Sequence, residues 1–128
     1  MENPIDRKYS KEHEWIKIDG DIATIGITDF AQDQLTDVVF VELPEVDKQI
    51  KQNDNLCVVE SVKSVSEVFS SISGEIVEVN KALGNSPELV NKEPFEGGWI
   101  AKLKVENEAE LDQLMTPEEY NKFLAGIE

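Results

Sequence analysis

Val58-Val59-Glu60-Ser61-Val62-Lys63-Ser64-Val65-Ser66-Glu67-Val68-Phe69 sets two apolar segments around a short polar centre. Strand-length segments on either side of Ser61-Val62-Lys63-Ser64 predict a β-hairpin with a tight turn. A lysine in that turn points into solvent, held by a rigid scaffold on both sides. Turn lysines are ordinary, so this one decides nothing alone. The next turn, Ser71-Ile72-Ser73-Gly74-Glu75, leads into Ile76-Val77-Glu78-Val79-Asn80. Two strand pairs joined this way predict the repeated hairpins of a small flattened barrel.

Outward from this stretch the pattern stays mostly β. Ile16-Lys17-Ile18, then Asp19-Gly20, then Asp21 to Ile27 reads as a second hairpin, because Asp-Gly favours a type I′ turn. Val38 to Leu43 is apolar apart from Glu42 and predicts a strand with little exposure. Ile50 and Leu56 to Glu60 bracket the turn-rich Gln52-Asn53-Asp54-Asn55. Trp99, Ala101, Leu103 and Val105 alternate with Ile100, Lys102 and Lys104, giving a strand with one inward face. Helices are few. Thr28 caps one over Asp29 to Leu35, Ser86-Pro87-Glu88 opens another turn, and Asn107 with Glu110 starts one over Glu108 to Met115. The clearest start is Thr116-Pro117-Glu118-Glu119, a capping box with proline at the first helical position and Met115 with Tyr120 as a hydrophobic staple. The expected organisation is a single domain over residues 1–128, with a core at about 9–105 and a helical tail at about 107–125.

Composition narrows the class. The chain has 128 residues, 40% apolar and 30% charged, which suits a soluble globular domain. No apolar run approaches the roughly 18 residues of a membrane span. Met1-Glu2-Asn3-Pro4 resembles neither a signal nor a transit peptide, so a cytoplasmic location is expected. The net charge of −15, from 27 acids against 12 bases, argues against nucleic acid, whose binding depends on Lys and Arg. That charge keeps a small protein soluble and can steer it toward basic partner surfaces, with solubility alone as the competing reading. A lone cysteine, Cys57, lies in an apolar run and reads as an inert core thiol. A single His, no Cys-x-x-Cys, no Gly-rich phosphate loop and no Gly-x-Ser-x-Gly leave little for zinc, nucleotide or nucleophile chemistry. A hydrolase with paired carboxylates stays open, although acids spread over a chain are usually a solvated surface.

Glu60-Ser61-Val62-Lys63 with Ser73-Gly74-Glu75-Ile76-Val77-Glu78-Val79-Asn80 resembles the lipoyl-lysine region of glycine cleavage H proteins. The resemblance continues through Lys11-Glu12-His13-Glu14-Trp15, through Ala23 to Asp29, through Asp37 to Pro44, and on to Asn91, Gly98-Trp99 and the C-terminal helix. It spans roughly residues 9 to 125, and several motifs in one order are far more specific than one lysine. Biotinyl domains usually carry Met-Lys-Met, whereas Lys63 lies between Val62 and Ser64. Lipoyl domains of other complexes resemble the hairpin region alone.

The resemblance implies a lipoyl-type barrel-sandwich hybrid of two antiparallel sheets with short helices and a C-terminal helix, acting as a monomeric, non-catalytic carrier. It implies lipoate on Lys63, with Glu60 and Gly74, three residues before and eleven after, as marks for the lipoate-attaching enzymes. It implies three further partners. Glycine decarboxylase, with pyridoxal phosphate, loads an aminomethyl group. An aminomethyltransferase passes the carbon to tetrahydrofolate, and dihydrolipoamide dehydrogenase reoxidises the dithiol with FAD and NAD. Glu14, Glu67 and Glu12 are implied as carboxylates of a cleft receiving the cationic cargo. Glu67 stands where the family more often has Asp, and Ser71 where it often has proline, which suggests a less rigid turn. His13 is expected to pack or hydrogen-bond within the N-terminal segment, and Trp15 and Trp99 to be core or cleft-wall residues. Competing readings are an octanoyl or lipoyl relay to other proteins, a small hydrolase that survives Lys63→Arg, and an acidic interaction module with Lys63 unmodified.

Overall fold

A computed structural model describes residues 2–127. Among these described residues nine strands form two antiparallel sheets. The larger sheet runs in the order β1 (Lys8–Tyr9), β2 (Glu14–Asp19), β3 (Ile22–Ile27), β9 (Ala101–Val105), β8 (Gly74–Val79) and β5 (Gln49–Ile50). The smaller sheet is β4 (Val38–Glu42), β6 (Asn55–Ser61) and β7 (Val65–Phe69). The two-sheet architecture with short helices is the one expected. Inward residues of both sheets, among them Ile25, Val41, Val59, Ile76 and Leu103, share one buried core. Alternation along each strand delivers them there while the intervening side chains face water.

Three local expectations need correction. The β2–β3 loop consists of Gly20-Asp21, because Asp19 pairs with Ile22. Gly20 alone takes a positive φ, the pattern of a type II′ rather than a type I′ turn. β7 and β8 do not form a hairpin. Residues 70–73 carry the chain from the small sheet to the large one, where β8 pairs with β9 and β5. β4 is also far less covered than its apolar run suggests: only Val38 and Val41 are buried. It forms one edge of the small sheet, and a register shift between Val38 and Phe40 leaves Val39 and Phe40 on the surface.

Three of the described helices start where a capping side chain stands. α1 (Asp29–Leu35) begins at Thr28, whose hydroxyl accepts from Ala31 N. After α2 (Ala82–Asn85) and α3 (Leu89–Lys92), a 3-10 helix over Glu108–Gln113 begins at Asn107. It stops two residues short of Met115. α4 (Pro117–Ile127) opens with the expected reciprocal box: Thr116 N donates to Glu119, and Glu119 N to the Thr116 hydroxyl. Tyr120, fully buried, then fastens α4 to the body with Tyr9, Trp15 and Phe95. Among the described residues no helix is long and apolar enough to cross a membrane.

Candidate functional site

Lys63 occupies the tip between β6 and β7 and is exposed. Its ammonium has no hydrogen bond or ion pair among the described residues. The turn beneath it is held by Ser61, a buried hydroxyl that accepts from Lys63 N (3.2 Å) and Ser64 N (3.0 Å) and donates to Ser64 O (3.1 Å). The Ser61 N–H also donates to Ser64 O, and Val62 N donates to Asp37 O, which ties the tip to the start of β4. The backbone at Lys63 is therefore fixed while its side chain is left to solvent. Nothing in the residue pattern singled out Ser61; a turn hydroxyl carries no periodic signal.

A cleft of about 260 Å³ starts beside this turn, at Ser64, Ser66 and Glu67, and reaches Glu12, His13 and Glu14. Ile27, Phe30, Leu35 and Val68 supply its apolar wall. The three carboxylates expected to share a cleft are thus brought together, from β7, β2 and the loop before it. β7 can contribute because it is the other edge of the small sheet. Glu12 and Glu67 are exposed, whereas Glu14 is buried at 3% exposure. Two hydroxyls satisfy it: Ser10 Oγ donates to Glu14 Oε1 at 2.8 Å and Ser71 Oγ at 2.7 Å. Ser10 and Ser71 were not anticipated: Ser10 is a near neighbour of Glu14 in sequence, and Ser71 reaches it from across the fold. The Ser71 turn carries further bonds. Besides holding Glu14, the turn is pinned by Ser70 Oγ to Ile72 O and by Glu110, which accepts from Ser73 N and Ser73 Oγ.

Burial pushes the Glu14 carboxyl above its ordinary 4.5, with the two serine hydroxyls opposing that shift. From 4.5 up to the raised pKa, the folded state therefore holds more protons than the unfolded chain. Stability contributed through this group falls as pH climbs through that interval. Urea titrations of wild type and Glu14→Gln should show the variant's relative stability rising with pH there; parallel curves would contradict this account of Glu14.

His13 adopts φ +68°, packs on Phe30 with centroids 4.5 Å apart, and places Nδ1 2.8 Å from the Tyr120 hydroxyl. Its imidazole therefore bonds to the C-terminal helix, while its backbone N–H donates to Ser10 O within the N-terminal segment. Burial lowers its pKa, so the neutral imidazole is favoured. Trp15 is core: its Nε1 donates to Pro94 O, and the buried Arg7 guanidinium lies 4.6 Å from its ring. Trp99 is partly buried in the same aromatic cluster. Cys57 is buried, its thiol pushed up to about 12 by desolvation, which fits the inert role expected.

Glu60 and Gly74 differ in kind. Glu60 is exposed on β6, level with Val65 across the hairpin. Gly74 is buried in β8 of the other sheet, where an added Cβ would overlap the Lys104 carbonyl oxygen. Close packing of β8 against β9 accounts for a glycine there. Gly74→Ala should cost about 1–3 kcal/mol of stability, read in urea melts. An unchanged midpoint would contradict this packing account of Gly74.

Two packed antiparallel sheets with a constrained lysine at a hairpin tip define the lipoyl-type barrel-sandwich class. The family model described as Glycine cleavage H-protein matches residues 7–127. Glycine cleavage system H proteins of Symbiobacterium thermophilum and Carboxydothermus hydrogenoformans are 58% and 54% identical to this chain. Each match covers 94% of this chain, with 94% of the first relative and 93% of the second. That of Halothermothrix orenii is 48% identical over the whole of both chains. The crystal structure of a glycine cleavage system H protein from Mycobacterium marinum superposes with a TM-score of 0.88 at 36% identity, covering 96% of this chain and 99% of that one. The chain belongs to the glycine cleavage H-protein family.

Proposed function

We propose that this chain is the carrier of a glycine cleavage system and that Lys63 holds lipoate in amide linkage. The observation that carries the reading is the exposed Lys63, without a partner among the described residues, on a turn fixed by Ser61 beside a cleft that ends at Glu14. These residues fit the group: a lysine stem is long and flexible, and its amine becomes an uncharged amide on acylation. When bound, lipoate supplies a dithiolane that can accept a one-carbon amine and later give up electrons. The protein's own part is positional. Tethering keeps a labile cargo at high local concentration near each partner without release.

The cleft favours a cationic amine through Glu12, Glu14 and Glu67. An ion pair with an exposed carboxylate is worth under about 1 kcal/mol. A charge-assisted hydrogen bond to a group withdrawn from water contributes about 1.5–3 kcal/mol. Glu14 has that setting, so it is the carboxylate that retains cargo, with Glu12 and Glu67 at the rim. Ile27, Phe30 and Val68 exclude water that would hydrolyse it. The partners in this reading are glycine decarboxylase, the aminomethyltransferase, dihydrolipoamide dehydrogenase and a lipoate-attaching enzyme. The chain itself is non-catalytic, one carrier domain. Reconstitution with the three enzymes tests this: glycine-dependent NADH formation should require the loaded chain, and equal turnover without it would refute the carrier role.

A further inference from the structure

Glu14 stands between two cavities. One is the cleft that starts beside Lys63. The other, of about 320 Å³, has Ser10, Gln52, Asn53 and Ser71 in its walls and shares only Glu12 and Glu14 with the cleft. Both serines that hold Glu14 therefore sit behind it, on the side away from the cargo. They donate to the same oxygen, Oε1. Ser10 Oγ also accepts from Glu14 N at 3.1 Å, so one buried hydroxyl grips backbone and carboxylate together and fixes the rotamer. Oε2 accepts no hydrogen bond among the described residues. No buried side-chain oxygen among them lacks a partner, so Oε2 keeps contact with open space. The groups around Glu14 supply no counter-charge. Glu12 and His13 precede it, and Glu67 lines the same cleft from β7. Cys57 on β6 and Tyr120 on α4 lie near enough to feel its charge. Lys11 is exposed and makes no ion pair among the described residues. A carboxylate buried without a cation stays ionised only through its hydrogen-bond donors. Here those donors are two hydroxyls.

We propose that Ser10 and Ser71 are positioning residues of the carrier: by holding Oε1 from behind, they present Oε2 to the cleft as the acceptor for the cargo's ammonium. This rests on the reading of the chain as an aminomethyl carrier and deepens it. Oε1 serves anchorage and Oε2 serves cargo. Removing either hydroxyl leaves Oε1 short of a donor, which favours protonation and frees the carboxyl to turn. A protonated Glu14 presents an O–H where the ammonium needs an acceptor. The position of the Ser71 donor is set by the fold, because its turn is pinned to Glu110 through Ser73. Proline, which the family often has at this position, carries no hydroxyl. The Ser71 anchorage therefore belongs to this chain and not to the general pattern.

The test has two parts. In the unmodified chain, carboxyl carbon-13 NMR follows the titration of Glu14, assigned through Glu14→Gln. Ser10→Ala, Ser71→Ala and Ser71→Pro should each move its midpoint upward, because each removes a donor to the charged form. Ser71→Thr keeps the hydroxyl and should leave the midpoint in place. In the lipoylated, reduced chain, formaldehyde and ammonia condense with a thiol to give S–CH2–NH2 and water. Intact mass then follows loss of that group near neutral pH with no partner enzyme present. Ser10→Ala and Ser71→Ala should each release it about tenfold faster than wild type, the equivalent of one charge-assisted hydrogen bond. In a Glu14→Gln background the same substitutions should add no further acceleration. Unmoved midpoints, or serine variants that keep cargo as long as wild type, overturn the positioning role and leave the carrier reading intact. Acceleration that persists in the Glu14→Gln background does the same, since it comes from a loosened fold. Glu14→Gln with wild-type release also overturns the proposal. A wild-type chain that cannot be lipoylated overturns both.

Discussion

Lys63→Arg should fold as wild type does and carry nothing. The side chain is exposed and has no partner among the described residues, so the substitution should change stability by no more than about 0.5 kcal/mol. Its chemical effect is total. A guanidinium stays protonated at any working pH and offers no amine nucleophile. Glycine-dependent turnover in the reconstituted system should fall to the level seen without the carrier, with no partial activity. A hydrolase built on the acidic residues would instead keep its activity, because Glu12, Glu14 and Glu67 are untouched. An unchanged thermal melt alongside complete functional loss separates a missing attachment point from a damaged fold.

Tyr120→Ala should have the largest effect on stability. The ring is fully buried, stacks on Tyr9 with centroids 4.6 Å apart, and closes the aromatic cluster that docks α4. Removing a buried aromatic costs about 3–5 kcal/mol. Its hydroxyl also meets Thr28 Oγ1 and His13 Nδ1, each at 2.8 Å. Hydrogen exchange should therefore rise in α4 and also around His13, on the cleft wall. Tyr120→Phe keeps the stacking and loses only the hydroxyl, so its cost should fall to about 1–3 kcal/mol. Equal destabilisation by both variants would contradict the division of labour between ring and hydroxyl.

The parts of this fold that were legible in the sequence are those set by local chemistry. Thr28, Asn107 and Thr116 begin their helices because a side-chain oxygen next to orphan backbone N–H groups stabilises a helix start wherever it occurs. The Lys63 hairpin follows from two apolar segments and four turn residues. What stayed hidden depends on which strand lies beside which. The β7-to-β8 segment looks like a hairpin along the chain, yet it crosses between sheets because β8 finds its neighbours in β9 and β5. β4 reads as covered because its residues are apolar, but an edge position and an open outer face leave Phe40 exposed. At the site, the carboxylates of the cleft came from motif resemblance. Ser71, which helps hold Glu14, did not, because the two are 57 residues apart. His13 and Tyr120 are separated by 107. Short hydroxyls and long-range pairs leave no periodic trace, and only the packed structure brings them together.

The most direct measurement is intact mass with peptide mapping after the chain is expressed with a lipoate ligase and supplied lipoate. The mass should rise by one lipoyl group, confined to the peptide that contains Lys63 and absent from Lys63→Arg. An unmodified chain, under conditions that fully load a known lipoyl domain, would contradict it.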